Sequence, residues 1–118
     1  MAKHIYLGNL SAKRDWGFAK DYVKAMWLML QQKEPDDYVI GTGKTRKVRF
    51  FLKIVLDKLG LSYRKHVRLS KKYFRPVEVP VLQADFSKAR EKLKWKPETS
   101  LEELIDIMIK AELKKYEK

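Results

Sequence analysis

Apolar positions along the chain alternate between short runs and stripes at helical spacing. Ile5-Tyr6-Leu7 is a three-residue apolar run closed by Gly8-Asn9, the composition of a short strand ended by a turn. From Ala19 to Gln32, Tyr22, Val23, Met26 and Leu30 recur at helical spacing. Trp27 and Met29 widen that stripe, so the pattern predicts a helix buried on more than one side. Pro35-Asp36-Asp37 breaks the run, and Tyr38-Val39-Ile40 reads as a second short strand ended by Gly41-Thr42-Gly43. A second helix is predicted over 47–59, with Val48, Phe51, Leu52, Val55 and Leu59 on one face and Gly60 as the residue just past its end. Segment 61–86 is the least regular, and Pro76 and Pro80 predict an extended path. Ser87 is the expected N-cap of a short helix running to Leu93, and Trp95-Lys96-Pro97 a turn. Ser100 and Glu103 stand at capping-box spacing ahead of Leu101, Leu104, Ile105 and Met108, the expected inner face of a last helix. With no repeat or linker, the expectation is one small α/β domain over residues 1–118, with more helix than strand.

Composition narrows the function classes. A chain of 118 residues, 45% hydrophobic, is sized for one domain with a real core. It contains no cysteine, which excludes disulfides and thiolate metal sites, and His4 and His66 are too far apart to predict a histidine metal site. The N-terminal residues lack the apolar run of a signal peptide, and Ala25–Leu30 is far short of the ~20 apolar residues that cross a bilayer. A soluble cytoplasmic protein with no membrane partner is expected. Charge is the unusual quantity: 27 Lys and Arg against 15 Asp and Glu give +12. Such a field draws polyanions. The cations are spread along the whole chain, so they read as a general surface property combined with a phosphate site. The alternatives are a non-enzymatic basic module for nucleic acid or an acidic protein, and a scaffold whose inherited residues are unused.

Gly41-Thr42-Gly43-Lys44-Thr45 resembles the end of a phosphate-binding P-loop, but the first glycine of that loop would fall at position 38, which is Tyr38. Without that glycine the loop cannot curl to aim successive N–H groups at phosphate, so a tight turn is the better reading. No G-x-S-x-G, H-E-x-x-H or G-x-G-x-x-G occurs, and no carboxylate pair is marked by apolar surroundings. The residues supply no catalytic centre.

Two segments combine fixed cations with aromatic or proline stiffness: residues 7–23, containing Asn9, Lys13, Arg14 and Trp16, and residues 72–79, containing Tyr73, Arg75 and Glu78. An arginine fork suits a diphosphate through parallel charge-assisted hydrogen bonds. An acid three residues later can accept from ribose hydroxyls if both side chains face one cleft.

Four stretches then make the pattern specific: LGNLSAKRDWGFAKDYVKAMWLMLQ, EPDDYVIGTG, KYFRPVEV and SKAREKLKWKPETSLEELI. In this order they resemble the C-terminal third of the GDP-mannose 4,6-dehydratases, members of the extended short-chain dehydrogenase/reductase superfamily, over nearly the whole chain. The resemblance implies the C-terminal substrate-binding part of that fold, with the NADP-carrying Rossmann domain absent. The family oxidises GDP-mannose at C4, eliminates water across C5–C6 and returns the hydride to C6. By resemblance, Arg14 and Arg75 hold the diphosphate, Glu78 binds the ribose of GDP, and Lys13 and Asn9 lie on the same approach, while Trp16 and Tyr22 orient the segment by packing. The Gly-rich dinucleotide loop, the Tyr-x-x-x-Lys pair and the glutamate base of the family have no counterpart here, so the resemblance implies no catalytic residue, no bound cofactor and no autonomous activity in this chain. The partners it implies are GDP-mannose or GDP, held weakly, and a separate Rossmann domain or a second copy of the chain. Phe50, Ile54 and Trp27 are the expected contributors to the face such a partner would cover. The chain departs from the family's G-E-T-H-S-V-R-E-F with Gly43-Lys44-Thr45-Arg46-Lys47-Val48-Arg49-Phe50-Phe51, which supplies part of its positive charge.

Overall fold

The computed structural model of the protein describes residues 4–75 and 78–116, so the expectations placed on Pro76 and on the first three residues lie outside the described residues. In chain order the elements are β1 (Ile5–Leu7), β2 (Lys13–Arg14), α1 (Ala19–Leu30), β3 (Arg46–Lys47), α2 (Val48–Lys58), α3 (Tyr63–His66), β4 (Val67–Leu69), a 3-10 turn (Lys71–Tyr73), α4 (Ser87–Leu93) and α5 (Leu101–Lys114). The fold is mixed α/β with more helix than strand. The chain divides into two compact units, Met1–Arg14 with Arg46–Leu82 and Asp15–Thr45 with Gln83–Lys118.

In the first unit β1 pairs in parallel with β4, Ile5 opposite Val67 and Leu7 opposite Leu69, and β2 pairs antiparallel with β3. Its core is Leu10, Leu56 and Val67, with Leu7, Val48, Leu52 and Tyr63 packed against them. The row Val48–Leu52–Leu56, spaced by four, is the face of α2 that meets this core. The expected face was rotated from this one: Leu56 is buried and Leu59 is exposed, because the helix ends at Lys58 and Leu59 is its cap. The start of α2 is held by two backbone bonds, Val48 N–H to the Ala12 carbonyl (3.0 Å) and Arg49 N–H to that of Leu10 (3.0 Å). These satisfy donors that have no partner within a helix. Its end is a Schellman arrangement: Gly60 at φ +72° donates to Asp57, and Leu61 donates to Leu56. The segment expected to be irregular contains α3, β4 and the 3-10 turn.

The second unit is built where α1 meets α4. Ala25 and Ala89 are both fully buried, and two such small side chains let the helices approach closely. Phe86, Leu93 and Trp95 complete the cluster, with Tyr22, Leu28, Met29, Tyr38 and Ile40 against it. The face α1 buries is therefore 21-22-25-28-29. Of the stripe expected from the sequence Tyr22 and Met29 face inward, while Val23, Met26, Trp27 and Leu30 form a second stripe that is 59–82% exposed. Tyr38–Ile40 keeps the alternation of a strand, with Tyr38 and Ile40 against the core and Val39 outside, but it is not a strand. Ser87 is the first residue of α4 rather than its cap: the Asp85 carboxylate accepts from the Ser87 N–H (3.0 Å) and hydroxyl (2.6 Å). On α5 the capping box is formed by Ser100 and Glu103, and Leu104 and Ile105 are buried, whereas Met108 is exposed.

The cap of α4, Lys94, sits in the left-handed region at φ 56°, a conformation that costs a non-glycine residue roughly 1–2 kcal/mol. Lys94→Gly should raise stability by about 0.5–1 kcal/mol after the extra freedom of the unfolded chain is subtracted, read as a higher denaturant midpoint at unchanged slope.

Candidate functional site

The turn after β1 positions the first site residues. Asn9 accepts the Ser11 N–H on its side-chain oxygen (2.9 Å), which fixes the turn. At Gly8 a Cβ would collide with the Tyr73 carbonyl oxygen, so only glycine lets the backbone of residues 73–74 pass so closely. The Ser70 N–H to Leu7 carbonyl bond (2.8 Å) holds the same approach. The result, wholly inside the first unit, is a cleft of about 250 Å³ lined by Gly8, Asn9, Arg14, Tyr73, Arg75 and Glu78 among others.

Four of the five sequence-expected residues meet at this cleft. Arg14 donates from Nη2 to Glu78 Oε1 at 2.9 Å and from Nη1 to the Lys13 carbonyl at 2.8 Å. Arg75 Nε lies 4.0 Å from Glu78 Oε2, so one carboxylate stands between two guanidinium groups. Arg14 and Glu78 are mostly enclosed, each 22% exposed, whereas Arg75 is 78% exposed and stays available to an incoming anion. Lys13, the fifth residue, does not line the cleft. It precedes Arg14 on the same strand, so its side chain leaves the opposite face, and its backbone is tied to Pro80 (2.7 Å) and Leu82 (3.0 Å).

The register of β2 with β3 places Lys13 opposite Lys47 and Arg14 opposite Arg46. Like charges directly opposite weaken a ladder, and Arg14 offsets part of its charge through its ion pair with Glu78. Arg46, whose guanidinium lies 5.6 Å over the Phe50 ring, is the neighbour that sequence reasoning passed over. Its charge was noted, but only the strand register reveals that it faces Arg14. Tyr73, to which the resemblance gives no role, also lines the cleft.

The remainder of the R-D-W-G-x-A-x-D-Y-V segment belongs to the second unit, where it does structural work. Asp15 accepts from the N–H groups of Thr42 (3.0 Å), Gly43 (2.9 Å) and Ala84 (3.1 Å) and from the Thr42 hydroxyl (2.5 Å). Asp21, buried, accepts from the N–H groups of Glu98 (3.2 Å) and Thr99 (3.1 Å), and its carbonyl takes the Trp95 indole N–H at 2.9 Å. Tyr22 packs on Trp95 with ring centroids 6.2 Å apart. Burial, and after it the charges of Asp15 and Asp21, push the Tyr22 phenol above its ordinary value, so it stays neutral and serves as a packing surface. The Gly41-Thr42-Gly43 turn is no phosphate cradle, since two of its N–H groups are taken by Asp15.

The family described as GDP-mannose 4,6 dehydratase matches residues 1–108. GDP-mannose 4,6 dehydratase 1 of Arabidopsis thaliana is 51% identical over 109 residues, covering 92% of this chain and 30% of the relative. The human GDP-mannose 4,6 dehydratase is 44% identical over 124 residues, covering 91% and 33%. Among solved structures, UDP-glucose 4-epimerase of Thermotoga maritima with UDP-glucose superposes with a TM-score of 0.84 at 26% identity, over 97% of this chain and 36% of that one. The dTDP-glucose 4,6-dehydratase of Bacillus anthracis with NAD gives 0.77 at 17% identity, over 87% and 32%, a likeness of fold alone. The chain thus spans about a third of the length of the curated relatives it matches.

Proposed function

The chain belongs to the GDP-mannose 4,6 dehydratase family, and from that premise we propose that residues 1–118 are its sugar-nucleotide-binding C-terminal portion, acting in GDP-sugar metabolism in the cytoplasm and not catalytic by itself. The observation that carries this reading is the meeting of Asn9, Arg14, Arg75 and Glu78 at one cleft. The diphosphate of GDP-mannose takes the exposed Arg75 fork and the outer edge of Arg14, and Glu78 accepts from the ribose hydroxyls. Arg14 needs little reorganisation to bind, since its ion pair with Glu78 and its bond to the Lys13 carbonyl already hold it. Asn9 lines the entrance, and Lys13 adds charge to the approach.

Redox chemistry with NADP falls to polypeptide outside these residues. The residues present do not fit a dinucleotide: the chain's one Gly-x-Gly turn directs two of its N–H groups to Asp15, and no G-x-G-x-x-G follows any strand. The exposed Val23, Met26, Trp27 and Leu30 stripe on α1 supports the same division, since four large apolar side chains in water favour cover by further protein.

Titrating GDP and GDP-mannose into the chain at constant ionic strength, followed by amide NMR, tests the reading. Expected are saturable shifts at Asn9, Arg14, Tyr73 and Glu78 with a Kd on the order of 1 mM, as suits an open half-site. Arg75→Ala should weaken binding about tenfold through loss of a charge-assisted bond. Uniformly unshifted amides at millimolar ligand would overturn nucleotide binding and leave ancestry alone.

A further inference from the structure

The second unit contains a larger concavity to which the family reading assigns no role. It is a depression of about 780 Å³ whose lining includes Lys44, Gln83, Asp85, Phe86, Arg90 and Lys96, within the roughly 300–1,000 Å³ of small-molecule sites. None of Asn9, Lys13, Arg14, Arg75 and Glu78 lines it.

Its walls are cross-tied. The Asp15 carboxylate binds the N–H groups of Thr42 and Gly43 on one wall and of Ala84 on the other. The Gln83 side chain donates to the Gly43 carbonyl at 2.6 Å across the same gap. Lys96 follows Trp95, whose ring is buried and whose indole N–H is bound to Asp21. The Arg90 guanidinium lies 4.5 Å over the ring of buried Phe86. Stacking on a ring fixes a guanidinium while its N–H donors point outward in its plane, the arrangement that receives an oxyanion.

The charge is unbalanced. Three cations, Lys44, Arg90 and Lys96, share the lining with one carboxylate. That carboxylate, Asp85, is held below its ordinary range first by the Ser87 hydroxyl and then by the Ser87 N–H, with a smaller contribution from Arg90. Asp85 therefore stays ionised while most of the cationic charge remains uncompensated. Asp15, tied into both walls, offsets a further charge, and the balance that remains is positive, the sign that attracts a phosphomonoester of about −1.5 to −2 at neutral pH.

We propose that this depression binds the phosphate of a small phosphomonoester, of the sugar-phosphate class, through Lys44, Arg90 and Lys96. The volume exceeds what a lone phosphate fills, so the organic part occupies the remaining space against Phe86 and Pro97.

The test is amide NMR on the full chain at fixed ionic strength with glucose 1-phosphate, inorganic phosphate and sodium chloride as probes. Glucose 1-phosphate should give saturable shifts at Gly43, Lys44, Ala84 and Lys96, and bind more tightly than inorganic phosphate. Lys44→Gln and Lys96→Gln, both changes of exposed side chains, should each weaken it about tenfold. Shifts that grow without saturating, or that sodium chloride reproduces, would overturn the site. Full affinity in both variants would overturn the assignment of its cations, and equal affinity for the ester and the free ion would overturn the ester class. Arg75→Ala should leave these shifts unchanged while weakening GDP, so failure here and failure of the nucleotide reading are told apart.

Discussion

Trp95→Ala should lower stability by about 4 kcal/mol, within the range found when a buried tryptophan is truncated. The indole is 2% exposed, meets Phe86 edge to face at 5.6 Å and Tyr22 at 6.2 Å, and packs in the cluster with Ala25, Ala89 and Leu93. Ala25 and Ala89 are too small to fill the space, and Phe86, Leu93 and Tyr22 are held in the same cluster, so much of the cavity persists. The same substitution also leaves the Asp21 carbonyl without the indole donor. Trp95→Phe separates the two losses, since it keeps most of the ring and removes the N–H. It should cost about 1.5 kcal/mol, the value of one buried hydrogen bond with a small volume change. Denaturant midpoints followed by far-UV circular dichroism give both numbers. Equal losses in the two variants would place the energy in the hydrogen bond and contradict the packing account.

The same residues show how far the fold can be read from the sequence. The Ser100–Glu103 box and the glycine after α2 were legible because capping and the left-handed C′ position are local chemistry, settled within a few residues. The burial of α1 was not. Tyr22, Ala25, Leu28 and Met29 on one side and Val23, Met26, Trp27 and Leu30 on the other are two apolar stripes of the same period, and hydrophobicity favours the second. What decides between them is a distant partner: Ala89 demands a small residue opposite, and Ala25 is the one on α1 that supplies it. Strand β4 failed for a related reason. Val67-Arg68-Leu69 is too short and too basic to announce itself, and its ladder is made with residues 5–7, 62 positions earlier. Tyr38–Ile40 erred in the opposite direction, since alternation reports which side chains face inward and says nothing about whether a neighbouring backbone is there to bond. At the cleft, Asn9, Arg14, Arg75 and Glu78 were legible as a group only through resemblance, because the two arginines stand 61 positions apart. Arg46 was not legible at all, since its place opposite Arg14 is a matter of register.

Asp15→Ala should cost about 3 kcal/mol and abolish the ester binding proposed for the second unit, although Asp15 adjoins the arginine assigned to the nucleotide. Hydrogen bonds to a charged acceptor contribute roughly 1.5–3 kcal/mol each, and loss of the acceptor orphans several donors together. Here one carboxylate serves three backbone N–H groups and a hydroxyl, with Thr42 on Oδ1 and Gly43 and Ala84 on Oδ2. Asparagine is an informative contrast because it preserves the shape. If its NH2 replaces Oδ2, it points at two N–H donors; if it replaces Oδ1, only the Thr42 N–H is orphaned, since the hydroxyl can turn to accept. Asp15→Asn should therefore adopt the second orientation and cost about 1.5–2 kcal/mol, while Thr42→Val, which removes only the hydroxyl bonds, should cost about 1 kcal/mol. The order alanine, asparagine, then Thr42→Val in denaturant midpoint is the expected result. Because the carboxylate ties both walls of the depression, affinity for glucose 1-phosphate should fall in the same order, whereas an Asp15→Asn protein as stable as the original would show that the loop is held by something other than this charge. Arg14 and Asp15 are adjacent in sequence yet bond within different units, the arginine to Glu78 and the aspartate to Thr42, Gly43 and Ala84.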